Sequence, residues 1–300
     1  MLRELLGAGY RVRALIRDGY RPASAPHLPN DDRLEIVTGD VRNVGAFARA
    51  LDDCRFVVHT AALYSFKPRD RAAMHAVNVL GTESLLAAAH LAGVERALLT
   101  SSSATLGPVL HGDTYHASKI AQERAAFASR VPVVALLPTA PIGPGDWKPT
   151  PTGKLVRDFL NGTIAAKAPG NGGMNLVAVE DVARAHVLAL NRGTTGERYL
   201  LGGENLSMDA IWRMLADATG RSVPVWRAPY ALALATAYVD ELRCRINPSA
   251  TPFAPLEGVR MARERMYADS SKAIAELGFR PTPVRAALER AVAWYRSESR

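Results

Sequence analysis

The first half of the chain alternates apolar, strand-like runs with helical segments, and this alternation constrains the fold more than any other feature. Five runs have the strand pattern: RVRALIR, LEIVT, RFVVHTA, RALLTSSS and VPVVALLP. Segments with helical spacing of apolar residues lie between them, over residues 43–53, 70–92 and 114–129. Strands rich in Val, Ile and Leu that alternate with helices predict a parallel sheet covered by helices on both faces.

The second half has a looser pattern. After residue 145 it contains loops rich in Pro and Gly, a βα unit predicted in GERYLLGG and MDAIWRMLADATG, and an amphipathic C-terminal helix. We therefore predict an α/β protein with a doubly wound, Rossmann-type parallel sheet over residues 1–150. A smaller C-terminal substrate lobe is expected over residues 151–300, from which residues 175–203 return to the first domain.

Composition and charge argue against several classes of protein. The longest apolar run, ALALATAYV, is about half the ~18 residues that cross a bilayer. The net charge of +8 comes from scattered residues, mostly Arg, and no recognition motif accompanies them, so we expect no nucleic-acid partner. Cys54 and Cys244 match no metal or redox spacing, so no metal site is expected. Two free thiols and the lack of a secretory signal pattern predict a cytoplasmic protein.

The chain opens with a predicted helix from Leu2 and then a strand that ends at Arg17. In a dinucleotide-binding fold, a glycine loop joins the first strand to the first helix, about 20 residues before the ribose-reading position that ends the second strand. That count places the loop before Met1. We interpret the GAG of residues 7–9 and the GNGG of residues 170–173 as turn glycines. We expect the first strand and glycine-rich loop to be missing from this chain, so that the 300 residues alone bind NAD(P) weakly or not at all. A start site assigned too late is one hypothesis for their absence.

The pentapeptide YHASK, residues 115–119, is the most informative motif. Residues four apart share a helix face, so the phenol of Tyr115 and the ammonium of Lys119 point the same way. We expect the cation to lower the pKa of the phenol, which makes it a usable proton donor or acceptor. The SSSA of residues 101–104 ends a predicted strand, at the sheet edge where open α/β folds bind ligands. Ordinary turn chemistry is the alternative interpretation of these serines.

With these motifs the chain resembles the extended short-chain dehydrogenases/reductases, also called the NAD-dependent epimerase/dehydratase family. Within it, the chain is most similar to hopanoid-associated sugar epimerases and dihydroflavonol-reductase-like proteins. The resemblance covers nearly the whole chain. It is carried by VHTAALYSF, AVNVLGTESLL, SSSATLG, PTAPIGPGDWKPTPTGK, NLVAVEDVARAH, GERYLLGGENL and RMARERMYADSSKAIAELGFRP.

The resemblance implies a role for each matching residue. Tyr115 would be the general acid/base, Lys119 would tune it and bind the nicotinamide ribose, and Ser103 would polarise the substrate oxygen. Arg17 stands where an NAD-preferring member carries an acid, and its guanidinium suits the 2′-phosphate of NADP. The expected cofactor is therefore NADP, or NAD if Arg17 is only an exposed strand-end residue. The further implied cofactor-binding residues are Asp40, Val41, Ala61, Ala62, Pro138 and Thr139.

Three functions follow from this resemblance. The first is an NAD(P)-dependent oxidoreductase or epimerase that acts on an alcohol or ketone carbon of a sugar nucleotide or similar small molecule. An alternative is an NADPH-dependent carbonyl reductase of the dihydroflavonol type, which Arg17 favours. Another is a catalytically idle dinucleotide-binding or scaffold protein, which the missing loop favours and the intact Tyr115 and Lys119 oppose. Relatives commonly dimerise through helices such as those at 70–92 and 114–129, so a homodimer is expected.

Overall fold

The computed structural model describes most of the chain, and its contacts divide it into two compact units. The described residues are 1–17, 28–65, 68–107, 114–167, 169–170, 172–247, 250, 254 and 256–298. Unit 1 comprises Met1–Pro138, Glu180–Leu201 and Ser270–Arg280. Unit 2 comprises Thr139–Val179, Gly202–Asp269 and Pro281–Arg300.

The regular elements are numbered along the chain. The strands are β1 (Val12–Ile16), β2 (Leu34–Thr38), β3 (Phe56–His59), β4 (Arg96–Thr100), β5 (Val133–Pro138), β6 (Ala140–Ile142), β7 (Gly173–Ala178), β8 (Arg198–Leu201), β9 (Glu204–Ser207) and β10 (Arg265–Met266). The α-helices are α1 (Leu2–Gly7), α2 (Arg71–Met74), α3 (Gly81–Leu91), α4 (Thr114–Phe127), α5 (Pro151–Asn161), α6 (Val179–Arg192), α7 (Met208–Thr219), α8 (Tyr230–Ile246), α9 (Leu256–Met261) and α10 (Val284–Glu298). Of the helices in these ranges, none has both the length and the apolar character that a membrane crossing requires.

Unit 1 has the parallel sheet that the alternating pattern predicts. Strands β3, β4, β5 and β8 form a four-stranded sheet in that order, and every described pairing in it is parallel. All six residues of β5 are buried, as expected for an inner strand covered on both faces. Leu85, Leu86 and Ala89 of α3 pack with Val57 and Leu99 of the sheet in one apolar cluster. The Rossmann-type class predicted from the sequence is thereby confirmed.

A separate two-stranded parallel sheet, β1 with β2, completes the strands of unit 1. The doubly wound order places one strand between the positions that β1 and β3 occupy. Within the described ranges, β1 and β3 belong to separate sheets. The two sheets are linked at one end, where the rings of Tyr10 and Phe56 meet edge-on with centroids 6.2 Å apart.

Unit 2 contains a smaller mixed sheet, in which β7 pairs in parallel with β6 and β10 and antiparallel with β9. Helices α5, α7 and α10 enclose an apolar core with it. Phe159, Trp212 and Leu288 are among its buried residues. A Thr150 hydroxyl that accepts from the N–H of Gly153 caps α5 at 3.1 Å, and Ser207 caps α7 in the same way.

Several expected element and domain boundaries differ from those observed. Residues 43–53 form two short 3₁₀ helices, Val44–Ala46 and Ala48–Leu51, rather than one α-helix. The predicted βα unit is divided, because β8 pairs with β5 in unit 1 whereas α7 follows β9 in unit 2.

The first domain boundary falls after Pro138 rather than at residue 150, because β6 pairs with β7 in unit 2. We expected residues 175–203 to return to the first domain, and residues 180–201 of this range belong to unit 1. Residues 270–280 also belong to unit 1, which the sequence pattern did not indicate.

Candidate active site

Helix α4 carries three functional groups on one face: Tyr115, Lys119 and Glu123 are spaced at successive intervals of four residues. The Lys119 side chain is buried, and its Nζ donates to the backbone oxygen of Thr100 at 2.9 Å and to Oε1 of Gln122 at 2.6 Å. Thr100 is the last residue of β4. The ammonium is therefore fixed at the carboxyl end of a central strand, as we predicted from the motif.

The serine segment after β4 lies beside this helix face. Ser102 has an extended backbone and caps a 3₁₀ helix, Ser103–Leu106, by accepting from the N–H of Ala104 at 3.2 Å. The Ser102 side chain is hydrogen-bonded to the Tyr115 phenol. The structure thus brings Tyr115 to the serine segment, with Ser102 as the contact and Ser103, half-buried, next along the chain.

The Tyr115 phenol stays protonated at neutral pH. Burial raises its pKa above the usual value, and the hydrogen bond to Ser102 only partly opposes this shift. We expected the Lys119 ammonium to lower this pKa, but desolvation of the phenolate outweighs any such effect. The ring also meets Tyr64 edge-on, with centroids 4.5 Å apart. Tyr115 is therefore poised as a proton donor.

Burial also acts on Lys119. It lowers the pKa of the ammonium to about 8, and the charge of Glu123 opposes the shift. An ammonium has three N–H donors, and the two described hydrogen bonds use two of them. One donor is left for a ligand hydroxyl, such as that of a ribose.

A buried polar network surrounds the site. The ring of His59 shares a 2.8 Å hydrogen bond with the Thr82 hydroxyl, which also accepts from Gln122 at 3.1 Å. Nδ1 of His186 donates to a backbone oxygen of α6, so that Nε2 accepts from the Thr100 hydroxyl at 2.7 Å. Burial lowers the pKa of each of these two rings to about 4. Both rings are therefore neutral at physiological pH.

The residues predicted to bind the adenosine end lie at the carboxyl ends of β1 and β2. Arg17 directly follows β1, and Asp40 lies two residues after β2. Hydrogen bonds from Arg42, with a smaller contribution from the charge of Arg17, lower the pKa of Asp40 to about 2. Arg42 donates to both carboxylate oxygens, at 2.9 and 2.7 Å. Arg17 is exposed.

The remaining predicted cofactor residues occupy three places. Val41 is buried and packs closely on the first residue of α3. Ala61 and Ala62 follow β3, half-buried and exposed respectively. Pro138 is the buried last residue of β5 in unit 1. In unit 2, the Thr139 hydroxyl donates to the side-chain oxygen of Asn175 at 2.9 Å.

The described glycine runs do not supply a pyrophosphate loop, because Gly7 ends a helix and Gly173 begins a strand. Gly9 and Gly170 have φ of 89° and 87°, as expected for turn glycines, whereas the prediction of a turn was wrong for Gly7 in the helix and Gly173 in the strand. In the described part of the chain, no group of three or more His, Cys, Asp or Glu side chains could hold a metal ion.

The motif analysis did not single out three residues that the structure places at the site. Ser102 contacts Tyr115, Gln122 contacts Lys119, and Glu123 binds the serine segment. The spacing of Glu123 from Lys119 was a usable signal, because it continues the same helix face. No sequence signal distinguishes Ser102 from its neighbours, since only the local turn decides which hydroxyl points at the phenol.

Comparison with known proteins shows similarity along the whole chain. The model of the NAD dependent epimerase/dehydratase family matches residues 1–202. A protein of Synechocystis named "Putative dihydroflavonol 4-reductase" is 37% identical over 319 residues, covering 99% of this chain and 91% of the relative.

Two solved structures are similar over nearly all of both chains. The crystal structure of gox2253 has a TM-score of 0.83 and 33% identity, covering 100% of this chain and 94% of that one. MoeE5 in complex with UDP-glucuronic acid and NAD has a TM-score of 0.75 and 25% identity, covering 99% and 94%.

Proposed function

Because the chain belongs to the NAD-dependent epimerase/dehydratase family, we propose that it is an NAD(P)-dependent oxidoreductase that reduces a ketone, or oxidises an alcohol, through Ser103, Tyr115 and Lys119. One observation carries the proposal: the protonated Tyr115 phenol lies on the serine segment at the carboxyl end of β4, one helical turn from a buried ammonium. The similarity to a protein named for dihydroflavonol reduction supports the direction of ketone reduction.

In the proposed reaction a bound reduced nicotinamide supplies the hydride. The Tyr115 hydroxyl donates its proton to the carbonyl oxygen as negative charge develops there. A serine hydroxyl, from Ser103 or its neighbour Ser102, donates a second hydrogen bond to the same oxygen. Lys119 holds the cofactor ribose with its third N–H donor, and its charge stabilises the phenolate left behind. At neutral pH the phenol holds its proton, so that it can serve as the donor in ketone reduction.

The second candidate is a sugar-nucleotide epimerase. The name of the family and the similarity to MoeE5, solved with UDP-glucuronic acid and NAD, support it. An epimerase returns the hydride to its own substrate, so no net cofactor is consumed. The predicted homodimer and the cytoplasmic location stay predictions.

The test is an assay of the purified chain with NADPH or NADH at concentrations up to millimolar. Dihydroflavonols, cyclic ketones and UDP-sugars serve as separate substrates. With a ketone we expect the absorbance of the reduced nicotinamide to fall steadily, at a rate proportional to the protein concentration. Epimeric UDP-sugar formed without net NADH change would instead identify the epimerase. A folded chain that turns over none of these substrates would contradict the proposed function.

Cofactor choice gives a second prediction. An Arg17→Glu variant should raise the KM for NADPH about 10- to 100-fold, because it replaces a charged hydrogen bond to the 2′-phosphate by repulsion. The KM for NADH should change by less than about threefold, since that ribose carries no phosphate. The matched control is Arg11→Glu, the same charge change at the opposite end of β1. An unchanged NADPH to NADH preference in Arg17→Glu would show that Arg17 does not read the phosphate.

A further inference from the structure

The carboxylate of Glu123 joins both ends of the serine segment to the helix that carries Tyr115. Its side chain is only 2% exposed. Its Oε1 accepts hydrogen bonds from the hydroxyl of Ser101 and, at 2.7 Å, from the hydroxyl of Thr105. Its Oε2 accepts from Arg198 of β8 at 2.7 Å. One buried side chain thus connects α4, the segment 101–105 and the edge strand of the sheet.

The position of this carboxylate relates it directly to the chemistry. Ser101 and Thr105 flank Ser102, whose side chain contacts the Tyr115 phenol, and the neighbouring Ser103. Glu123 stands two helical turns beyond Tyr115 on the same face of α4. The distance from the phenol to the serine hydroxyls is therefore set by a rigid helix on one side and by two hydrogen bonds to one oxygen on the other.

Burial of a carboxylate costs free energy unless both of its oxygens accept hydrogen bonds. A buried carboxylate needs hydrogen-bond donors at both oxygens, and here two hydroxyls and a guanidinium supply them. An apolar residue of similar length would fill the same space without that requirement. The polar group is therefore explained by what it holds, which is the serine segment.

On this basis, and resting on the proposed function, we propose that Glu123 is a positioning residue that holds the serine segment 101–105 in register with the Tyr115 phenol. It acts through Ser101 and Thr105 and does not itself touch substrate or cofactor. Removing it leaves the phenol in place but lets the serine hydroxyls move away from the oxygen that they would polarise. A displacement of about 1 Å in such a group lowers turnover about 100-fold.

The first experiment separates turnover from cofactor binding. In Glu123→Leu we expect kcat for ketone reduction to fall about 100-fold, while the KM for NADPH stays within about twofold. Glu123→Gln keeps an oxygen for the two hydroxyls and should recover kcat to within about fivefold of the wild type. Glu95→Leu, the same change at an exposed ion pair with Arg55, is the control and should match the wild type. An unchanged kcat in Glu123→Leu, or no recovery in Glu123→Gln, would overturn the proposal.

A double-mutant cycle tests whether the carboxylate acts through the hydroxyls. Ser101→Ala with Thr105→Val removes both donors and should lower kcat to a similar extent as Glu123→Leu. When all three changes are combined, kcat should fall no more than about threefold below that of Glu123→Leu, because the same contact is removed from both sides. Losses that multiply would show independent roles and contradict the proposal.

A readout without turnover keeps this proposal distinct from the proposed function. In protein with carbon-13-labelled tyrosine, the Tyr115 resonance is assigned by its absence in Tyr115→Phe. We expect the chemical shift of that resonance to change in Glu123→Leu, since the contact with Ser102 changes. In Glu95→Leu it should keep its wild-type value. A Tyr115 resonance unmoved in folded Glu123→Leu would overturn the positioning role even if no substrate were turned over. A shift without wild-type turnover would leave positioning supported and the proposed function contradicted.

Discussion

Replacing Tyr115 by Phe is expected to lower kcat/KM for ketone reduction by about 10²- to 10⁴-fold, the usual contribution of a positioned general acid. The ring and its edge contact with Tyr64 remain, so the loss isolates the hydroxyl. A tenfold rate change corresponds to about 1.4 kcal/mol, so the expected loss of transition-state stabilisation is roughly 3 to 5 kcal/mol. The measurement is the initial rate of NADPH oxidation over a range of ketone concentrations, from which kcat/KM is obtained.

The control for this prediction is Tyr238→Phe. That phenol is half-exposed on α8 in unit 2, and it accepts a hydrogen bond from Arg260 rather than from any site residue. The kcat/KM of Tyr238→Phe for ketone reduction should stay within about twofold of the wild-type value. Binding of NADPH to Tyr115→Phe, measured by fluorescence, should also be nearly unchanged. A Tyr115→Phe enzyme that keeps more than about a tenth of wild-type activity would rule out the phenol as the general acid.

Acidification is expected to destabilise unit 1 strongly, because it buries two neutral imidazoles. The pKa values of His59 and His186 are lowered from 6.5 to about 4 by burial. Between these values the unfolded chain binds protons that the folded chain does not, so stability is lost as pH falls through 6.5 towards 4. The two rings together should lower the free energy of unfolding by about 3 to 4 kcal/mol between pH 7 and pH 5.

Denaturant unfolding at the two pH values measures this loss, and ring titration by NMR measures its cause. In His186→Gln the loss between pH 7 and pH 5 should shrink by about half, since one buried imidazole is removed. His90→Gln, at an exposed position of α3, is the control and should show the full loss. A ring signal of His59 or His186 that titrates near pH 6.5 would contradict the prediction whatever the variants do.

The strands of the sheet were predictable because apolar side chains on β3, β4 and β5 have few alternatives to burial between helices. Residues 43–53 were harder. Their apolar residues have helical spacing, yet Gly45 weakens the helix and Phe47 leaves helical geometry with φ −135°. Burial of Phe47 in the core of unit 1 decides the local conformation, and a sequence pattern does not contain that information.

The chemistry of the site was predictable in outline and not in detail. The spacing of Tyr115 and Lys119 placed both groups on one helix face, as the structure has them. The predicted direction of the shift in the Tyr115 pKa was wrong, because the shift depends on how much water the fold removes from the phenol. The contact with Ser102 depends on a turn that begins one residue before Ser103. Both the pKa shift and the contact follow from tertiary packing rather than from spacing along the chain.

Deuterium transfer from labelled NADPH tests most directly whether the Tyr115 site couples a proton to a nicotinamide hydride. The wild-type chain is incubated with a ketone and NADPH deuterated at the transferable position, and the alcohol is analysed by mass spectrometry and NMR. We predict one deuterium on the carbinol carbon, in a single configuration, with the yield falling about 10²-fold or more in Tyr115→Phe. Unlabelled alcohol, or labelling that Tyr115→Phe leaves undiminished, would contradict the assignment of this site.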